Sequence, residues 1–288
     1  MIDFEAIERR FEAARNGRGA FDDTFQQIAE RVLPQAADFG GRRSPGEPRT
    51  EKMFDGTAAL AAQRAVAAIA SFFWPSNQRY QKLSTDNEHL NKVHRVKVYL
   101  DALTDILFKA RYSPLAAFEA QQGESALQAF VFGTGLMFVD YDIKAESLRY
   151  KSLHLGQTYI LEGAAGKVDT VFRCWRWSLR NIEAAWPGKL PEKHRRTLEK
   201  NPDSEIEVAH CVMPREDYQG DGVGYRAMPW ASCYFLPGEK CLLDEGGFPQ
   251  WPFSVLRYMT SPGEVYGRSP AWLARSNIRD LNTTKRSD

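Results

Sequence analysis

Apolar residues in the first half of the chain recur every three or four positions, the spacing that places side chains on one face of a helix. This spacing predicts a helix over residues 3–16 and a second over 20–33, with Gly17 as the stop between them. The same pattern predicts three further helices before residue 135. They cover residues 57–73, 91–111 and 115–132.

The period changes after residue 135. Apolar and aromatic residues then alternate with polar ones over short runs, which is typical of strands with one buried face. The predicted strands cover 136–142, 147–153, 157–162, 168–177, 205–213, 230–236, 239–244 and 253–259, and short helices are predicted at 179–187 and 190–200. A helical half followed by a mainly antiparallel sheet with helical inserts is an α+β fold, because a doubly wound fold would alternate helix and strand throughout.

We expect three regions along the chain. Residues 1–135 form a helical N-terminal region, 136–262 an antiparallel β-rich α+β region, and 263–288 a turn followed by the start of a helix. No window approaches about 20 uncharged apolar residues, so no membrane-spanning helix is expected. The first residues also lack the pattern of a signal peptide, which predicts synthesis in the cytosol.

The total charge is close to neutral, but its distribution is uneven. The chain has 38 Lys and Arg against 37 Asp and Glu, a net charge of +1, which excludes a uniformly basic nucleic-acid coat. Residues 173–200 carry a net charge of +5 and residues 203–247 one of −6. Such opposite segments either dock a neighbouring copy head to tail or pair within one fold, and the sequence leaves both open.

Candidate chemistry is sparse. Asp140 and Asp142 place two carboxylates on one face of a strand end, as in metal-dependent nucleotidyl-transfer enzymes and nucleases, but no third carboxylate or phosphate-binding loop accompanies them. A protein-binding module is the other alternative, with an aromatic surface formed by Trp175, Trp177 and Trp186. We predict no cofactor and no metal site, because the chain lacks paired Cys or His at ligand spacing.

The most distinctive stretch lies at 262–282. Its signature residues are Glu264, Tyr266, Gly267, Arg268, Ser269 and Pro270, followed by a helix that ends in Ile-x-x-Leu-Asn at Asn282. Ser269 is a predicted N-cap and Pro270 the first helical residue. With this run the chain resembles the podophage-type head-to-tail connector, or portal, family. Shorter segments also resemble segments of this family and occur in the same order along the chain. They lie at 31–34, 54–57, 73–75, 112, 118–120, 132–135, 252–253 and 257. The resemblance therefore covers about residues 1–282.

The resemblance implies a structural protein of the virion that catalyses no reaction. Members of this family form a dodecameric ring at one capsid vertex, through which double-stranded DNA is packaged and ejected without sequence specificity. The implied partners are further copies of the chain, capsid and scaffolding proteins, a tail adaptor and the terminase, with no membrane involved. The signature residues would then be structural, and the helices and sheet would form the peripheral wing.

The resemblance also bears on DNA contacts and on length. Candidate DNA contacts are Arg42, Arg43, Lys193, Arg195 and Arg196, because exposed cations neutralise phosphates. Chains of the family continue well past the signature helix, so we expect a C-terminally truncated member that has only the start of a stem helix. The region that docks terminase would then be missing.

Overall fold

Helices occupy most of the chain up to residue 133, and strands dominate from residue 134 onward, which confirms the α+β class. The computed structural model describes residues 4–39, 46, 49–220 and 222–287. The α-helices are α1 (Phe4–Val32), α2 (Thr57–Phe73), α3 (Glu88–Lys92), α4 (His94–Arg111), α5 (Phe118–Phe132), α6 (Leu179–Ala185), α7 (Glu192–Lys200), α8 (Pro270–Leu273) and α9 (Arg275–Ser287). The strands are β1 (Thr134–Asp142), β2 (Ser147–Leu153), β3 (Thr158–Glu162), β4 (Val168–Ser178), β5 (Glu205–Pro214), β6 (Trp230–Leu236), β7 (Cys241–Phe248) and β8 (Phe253–Arg257).

The N-terminal helix is continuous, so the prediction of two helices with a stop at Gly17 is wrong. Gly17 and Gly19 both lie inside α1, and neither adopts the positive φ that a glycine stop uses. The buried Arg18 between them explains the continuity. Its guanidinium donates to three carbonyl oxygens of residues 155–158 and pairs with Asp22 at 2.8 Å. These tertiary contacts outweigh the helix penalty of about 1 kcal/mol for each glycine.

The strands form two antiparallel sheets. The smaller sheet has the order β2-β1-β8, and the larger one the order β3-β4-β5-β6-β7. In the smaller sheet Phe138 pairs with Lys151 on one side and Phe253 on the other. In the larger sheet Arg173, His210 and Tyr234 form one row across β4, β5 and β6. Directly paired residues share a face of their sheet, so this register decides which side chains meet between the sheets.

One apolar core joins the N-terminal helix, α5, both sheets and the C-terminal segment. Phe25 of α1 and Phe132 of α5 are fully buried at its centre, and Leu136 of β1 and Tyr266 belong to the same cluster. Burial of each such side chain contributes roughly 1.5–3 kcal/mol. The segment after β8 is therefore held in place by the same core that holds the first helix.

Two helices contribute little to this core. In α2 only Ala62 and Val66 are buried, and in α4 only Thr104 is. Their exposed large apolar residues are Leu60, Phe72, Phe73, Val98, Tyr99, Ile106 and Leu107. We call this set the α2–α4 apolar surface. Exposed large apolar residues that cluster on a folded protein mark an interaction site, which makes these two helices candidates for one.

Candidate functional site: the signature turn and the last helix

The segment between β8 and α8 folds onto the junction where α5 passes into β1. The Tyr258 N–H donates to the Gly133 carbonyl at 2.9 Å, and the Arg268 N–H donates to the Met259 carbonyl at 2.7 Å. Gly133 ends α5 in the left-handed region with a φ of 89°. The signature turn is thus closed on itself and attached to the first strand of the small sheet.

Tyr266 attaches the turn to the first helix and to the large sheet. Its side chain is only 2% exposed, and its hydroxyl accepts a hydrogen bond from the Ile160 N–H at 3.2 Å. The ring lies against Phe21 and Phe25 of α1, with centroids 5.3 and 6.1 Å away. Burial raises the pKa of the Tyr266 hydroxyl, so it stays protonated and serves as an anchor.

Gly267 crosses Gly133 at backbone contact. A Cβ added at Gly267 would lie 2.2 Å from the Gly133 carbonyl oxygen. The Gly267 N–H also donates to the Thr134 hydroxyl at 2.9 Å, and Thr134 is fully buried. The signature therefore needs glycine at this position because the two chain segments leave no room for a side chain.

Glu264 and Arg268 clamp the turn by an ion pair. The Arg268 Nε donates to Glu264 Oε2 at 2.8 Å, and the guanidinium carbon lies 5.4 Å from the Trp272 ring centroid. The hydrogen bond from Arg268 lowers the pKa of the Glu264 carboxyl, and the same pair raises the pKa of Arg268. Both groups are therefore charged at neutral pH, and the pair spans the turn from its start to its end.

Ser269 and Pro270 start α8, as the sequence predicts. The Ser269 hydroxyl accepts from the Trp272 N–H at 2.9 Å and donates to the Val131 carbonyl at 2.6 Å. Pro270 occupies the first helical position, where its missing N–H costs nothing. The cap thus also ties the helix start to α5.

Asn282 joins two motifs that the sequence analysis identified separately. It lies on α9 and is buried, and its Oδ1 accepts from the Phe54 N–H at 2.9 Å and from the Asp55 N–H at 3.2 Å. Its Nδ2 donates to the Ile278 carbonyl at 2.9 Å. The last signature residue therefore fixes the segment that leads into α2, a contact that the sequence analysis did not predict.

Arg257 is a further residue that holds the signature turn. Its guanidinium donates to the Val265 carbonyl at 3.2 Å, to the Gly166 carbonyl at 3.4 Å, and to Glu162. The last two partners belong to the β3–β4 hairpin. Arg257 thus links the turn to the large sheet.

The candidate DNA-contacting cations that the structure describes all have partners within the chain. Arg42 and Arg43 lie outside the described residues. Lys193, Arg195 and Arg196 lie on α7, where each has a partner within the chain. Lys193 is 3.6 Å from a Glu239 carboxylate oxygen, Arg195 donates to a carbonyl in the preceding loop, and Arg196 pairs with an acid one helical turn away. DNA contact by these residues stays a prediction.

The oppositely charged segments pair partly with each other inside the fold. Arg180 lies 2.7 Å from Asp203, and Lys193 lies 3.6 Å from Glu239. In both pairs the basic member comes from 173–200 and the acidic member from 203–247. Internal pairing, one of the two alternatives open from the sequence, therefore accounts for part of the charge asymmetry.

The carboxylates of the enzyme alternative have local structural roles. Asp140 accepts from the N–H of Tyr141 at 2.8 Å, and Asp142 accepts from the N–H groups of Lys144 and Ala145 in the turn after β1. Over the described part of the chain, no group of three or more His, Cys, Asp or Glu side chains is arranged to hold a metal ion. Nothing in this geometry favours a nuclease.

The tryptophans of the binding-module alternative form one half-buried cluster. The Trp175 and Trp177 ring centroids are 6.3 Å apart, and those of Trp177 and Trp186 are 5.9 Å apart. These rings line a cavity between the two sheets rather than an outer face.

Among the helices that the structure describes, none is both long and apolar enough to cross a membrane.

Comparison with known proteins identifies the family. The family model described as "Bacteriophage head to tail connecting protein" matches residues 5–288. The chain is 25% identical over 282 residues to the "Probable portal protein" of Bordetella phage BPP-1, covering 94% of this chain and 49% of that protein. It is 22% identical over 293 residues to the "Portal protein" of Salmonella phage epsilon15, covering 98% of this chain and 51% of that protein. The chain spans about half the length of these curated relatives, and with a family match from residue 5 to residue 288 it belongs to the bacteriophage head-to-tail connecting proteins.

Proposed function

We propose that this chain forms the wing part of a phage portal subunit, which assembles into a ring at the capsid vertex. The observation that carries this proposal is the family match over residues 5–288, together with two relatives named as portal proteins. The role is structural, and DNA passes through the ring during packaging and ejection. The subunit is made in the host cytoplasm and resides in the virion.

The α2–α4 apolar surface supports assembly. Phe72 is 82% exposed at the end of α2, and several large apolar side chains of α4 are exposed as well. In a ring with a heterologous interface, such a surface on one copy is covered by a different surface of the next copy. Burial of this apolar area between copies would favour association.

The finer partners follow from the same proposal. A dodecameric ring would meet capsid and scaffolding proteins at its edge, and a tail adaptor and the terminase along its axis. Contact with double-stranded DNA would be weak and independent of sequence, because tight phosphate contacts would stop translocation. The net charge of +1 is consistent with such weak contact.

The mass of the purified chain in solution tests the proposal. Light scattering behind a sizing column should give an assembly near twelve times the 32.7 kDa protomer, and electron micrographs of that peak should show closed rings. A protomer mass at every concentration, including after coexpression with capsid and scaffolding proteins, would argue against ring formation by this region.

A further inference from the structure

A cavity of about 490 Å³ lies between the facing surfaces of the two sheets. Arg149 and Lys151 of β2 line one wall, and Arg173 of β4 lines the other. Arg149 and Lys151 are two residues apart on one strand, so both side chains leave the same face of the small sheet. Three basic side chains from two sheets therefore converge on one space.

These three cations lack acidic partners. Within the described part of the chain, no carboxylate lines the cavity, and none of the three forms an ion pair or a hydrogen bond with an acid. Burial and the neighbouring positive charges of Arg173 and Arg149 lower the pKa of Lys151. Burial likewise lowers the pKa of Arg173, and Arg149 lowers it further. Lys151 and Arg173 are half-buried and Arg149 is exposed. Because these like charges repel one another, an anion in this space would be favourable.

Two acids share sheet faces with the cations, Asp140 of β1 and, opposite Tyr234 in the register, Asp244 of β7, but neither forms an ion pair with them. Asp140 of β1 lies directly across from Arg149 in the sheet register, yet the two form no ion pair. Its Oδ1 accepts from the Tyr141 N–H at 2.8 Å. The cavity therefore keeps a local excess of positive charge although the whole chain carries only +1.

Aromatic side chains form the rest of the wall beside the cations. Arg173, Trp175 and Trp177 occupy every second position of β4. Their side chains therefore share one face of the large sheet. The Arg173 guanidinium carbon lies 4.8 Å from the Trp175 ring centroid. Trp186 and Tyr234 complete this wall, with ring centroids 4.9 Å apart. Cations next to aromatic faces are the combination that proteins use for phosphates that carry a base.

We propose that this cavity binds a nucleotide, with the phosphate on Arg149, Lys151 and Arg173 and the base against the tryptophans. The volume is within the range of small-molecule sites and exceeds what one phosphate ion fills. The nucleotide is either free or a unit of a single DNA strand, because both offer the same phosphate and ring. The proposal is independent of ring assembly, since every lining residue belongs to one chain.

Calorimetric titration of the full chain tests this proposal with four probes. They are dAMP, a short single-stranded oligodeoxynucleotide, the duplex of the same sequence, and inorganic phosphate. We expect saturable binding of dAMP that is at least roughly tenfold tighter than that of phosphate, because the base of dAMP also stacks on aromatic side chains. Equal affinity for dAMP and the single strand would indicate a free nucleotide, and tighter binding of the strand would indicate DNA. Phosphate binding as tight as dAMP binding, or no binding of dAMP or the strand, would overturn the proposal.

Matched variants locate the site. Arg173→Gln and Lys151→Gln should each weaken dAMP binding roughly tenfold, because each removes a charge-assisted contact to phosphate. Lys167→Gln is the control, since it removes one positive charge from the exposed β3–β4 turn, outside the cavity. Urea unfolding and circular dichroism verify that each variant is folded. If Arg173→Gln does not fold, the dAMP affinity of Lys151→Gln alone tests the location of the site. An unchanged affinity for dAMP in every folded cavity variant would overturn the placement of the nucleotide in this cavity. An equal loss of affinity in Lys167→Gln would overturn it as well.

Discussion

Gly133 and Gly267 cross in backbone contact, and neither position has space for a side chain. A Cβ at Gly133 would lie 2.1 Å from the Gly267 carbonyl oxygen, and a Cβ at Gly267 would lie 2.2 Å from the Gly133 carbonyl oxygen. One glycine ends α5 and the other belongs to the signature turn. The crossing therefore attaches the C-terminal segment to the point where the helical half becomes the sheet half.

Gly267→Ala should destabilise the fold by about 2–3 kcal/mol, because the new methyl group forces two packed backbones apart. Gly17→Ala is the matched control. Nothing lies within 4 Å of a Cβ at Gly17, which is inside the exposed part of α1, so this change should stabilise the chain by about 0.5–1 kcal/mol. Urea unfolding of both variants measures the difference, and similar midpoints for the two would contradict the crossing.

Asn282→Ala should release the segment before α2. The variant removes the acceptor for the Phe54 and Asp55 N–H groups and should cost about 1–3 kcal/mol. Hydrogen exchange should rise at these two amides before it rises in α2. Thr283→Ala serves as the control, since the exposed Thr283 bonds only within its own helix. Exchange at Phe54 and Asp55 that matches the parent chain would show that Asn282 does not hold this segment.

Most elements could be predicted from periodicity because their buried faces repeat regularly. The strand over 147–153 has the predicted bounds, and the helix start at Ser269 follows from a local cap that the sequence contains in full. The error at Gly17 has a physical origin. Local glycine propensity favours a stop there, but the neighbouring Arg18 binds carbonyls more than 130 residues away, and sequence spacing carries no information on such a contact.

The sequence pattern draws attention to the residues of the signature turn but carries no information on their contacts. The signature run identified Tyr266 and Asn282, yet their partners Ile160 and Phe54 are distant in the chain. The cations of the cavity were missed because they are spread over two strands. A signal was present in Arg173, which shares the face of β4 with two tryptophans where a buried face would otherwise be apolar.

Assembly should depend on the α2–α4 apolar surface. Replacing Phe72 and Phe73 together by Ser should shift the mass in light scattering toward the protomer, because these side chains, 82% and 69% exposed, are available for contact between copies. The stability of the protomer should change by no more than about 0.5 kcal/mol, as expected for exposed positions.

Ile143→Ser is the control for the assembly experiment. Ile143 is also 82% exposed, but it lies in the turn between β1 and β2 and belongs to neither helix. The control should keep the parent mass. An equal loss of assembly in Ile143→Ser, or none in the Phe72 and Phe73 variant, would place the interface elsewhere.

Acidification should destabilise the chain through His210. This imidazole is buried in the cavity wall, its Nε2 lies 2.9 Å from the Ser232 hydroxyl, and its ring stacks on Tyr234. Burial, helped by the positive charge of Arg173, lowers the pKa of His210 from 6.5 to about 3. The unfolded chain therefore binds a proton at this residue near pH 6.5, whereas the folded chain does so only near pH 3. Protons thus favour the unfolded state between these values.

The contribution of neutral His210 to the free energy of unfolding is complete above pH 6.5 and is lost as the pH falls toward 3. At about pH 5 this loss amounts to about 2 kcal/mol. Urea unfolding at about pH 7.5 and about pH 5 should show this loss in the parent chain. His210→Gln should remove most of the slope whatever its own stability, and the remainder includes the half-buried His154, whose pKa burial also lowers. His89→Gln, at an exposed position on α3, should keep the parent slope. A slope that survives in His210→Gln unchanged would mean that His210 is not held neutral by burial.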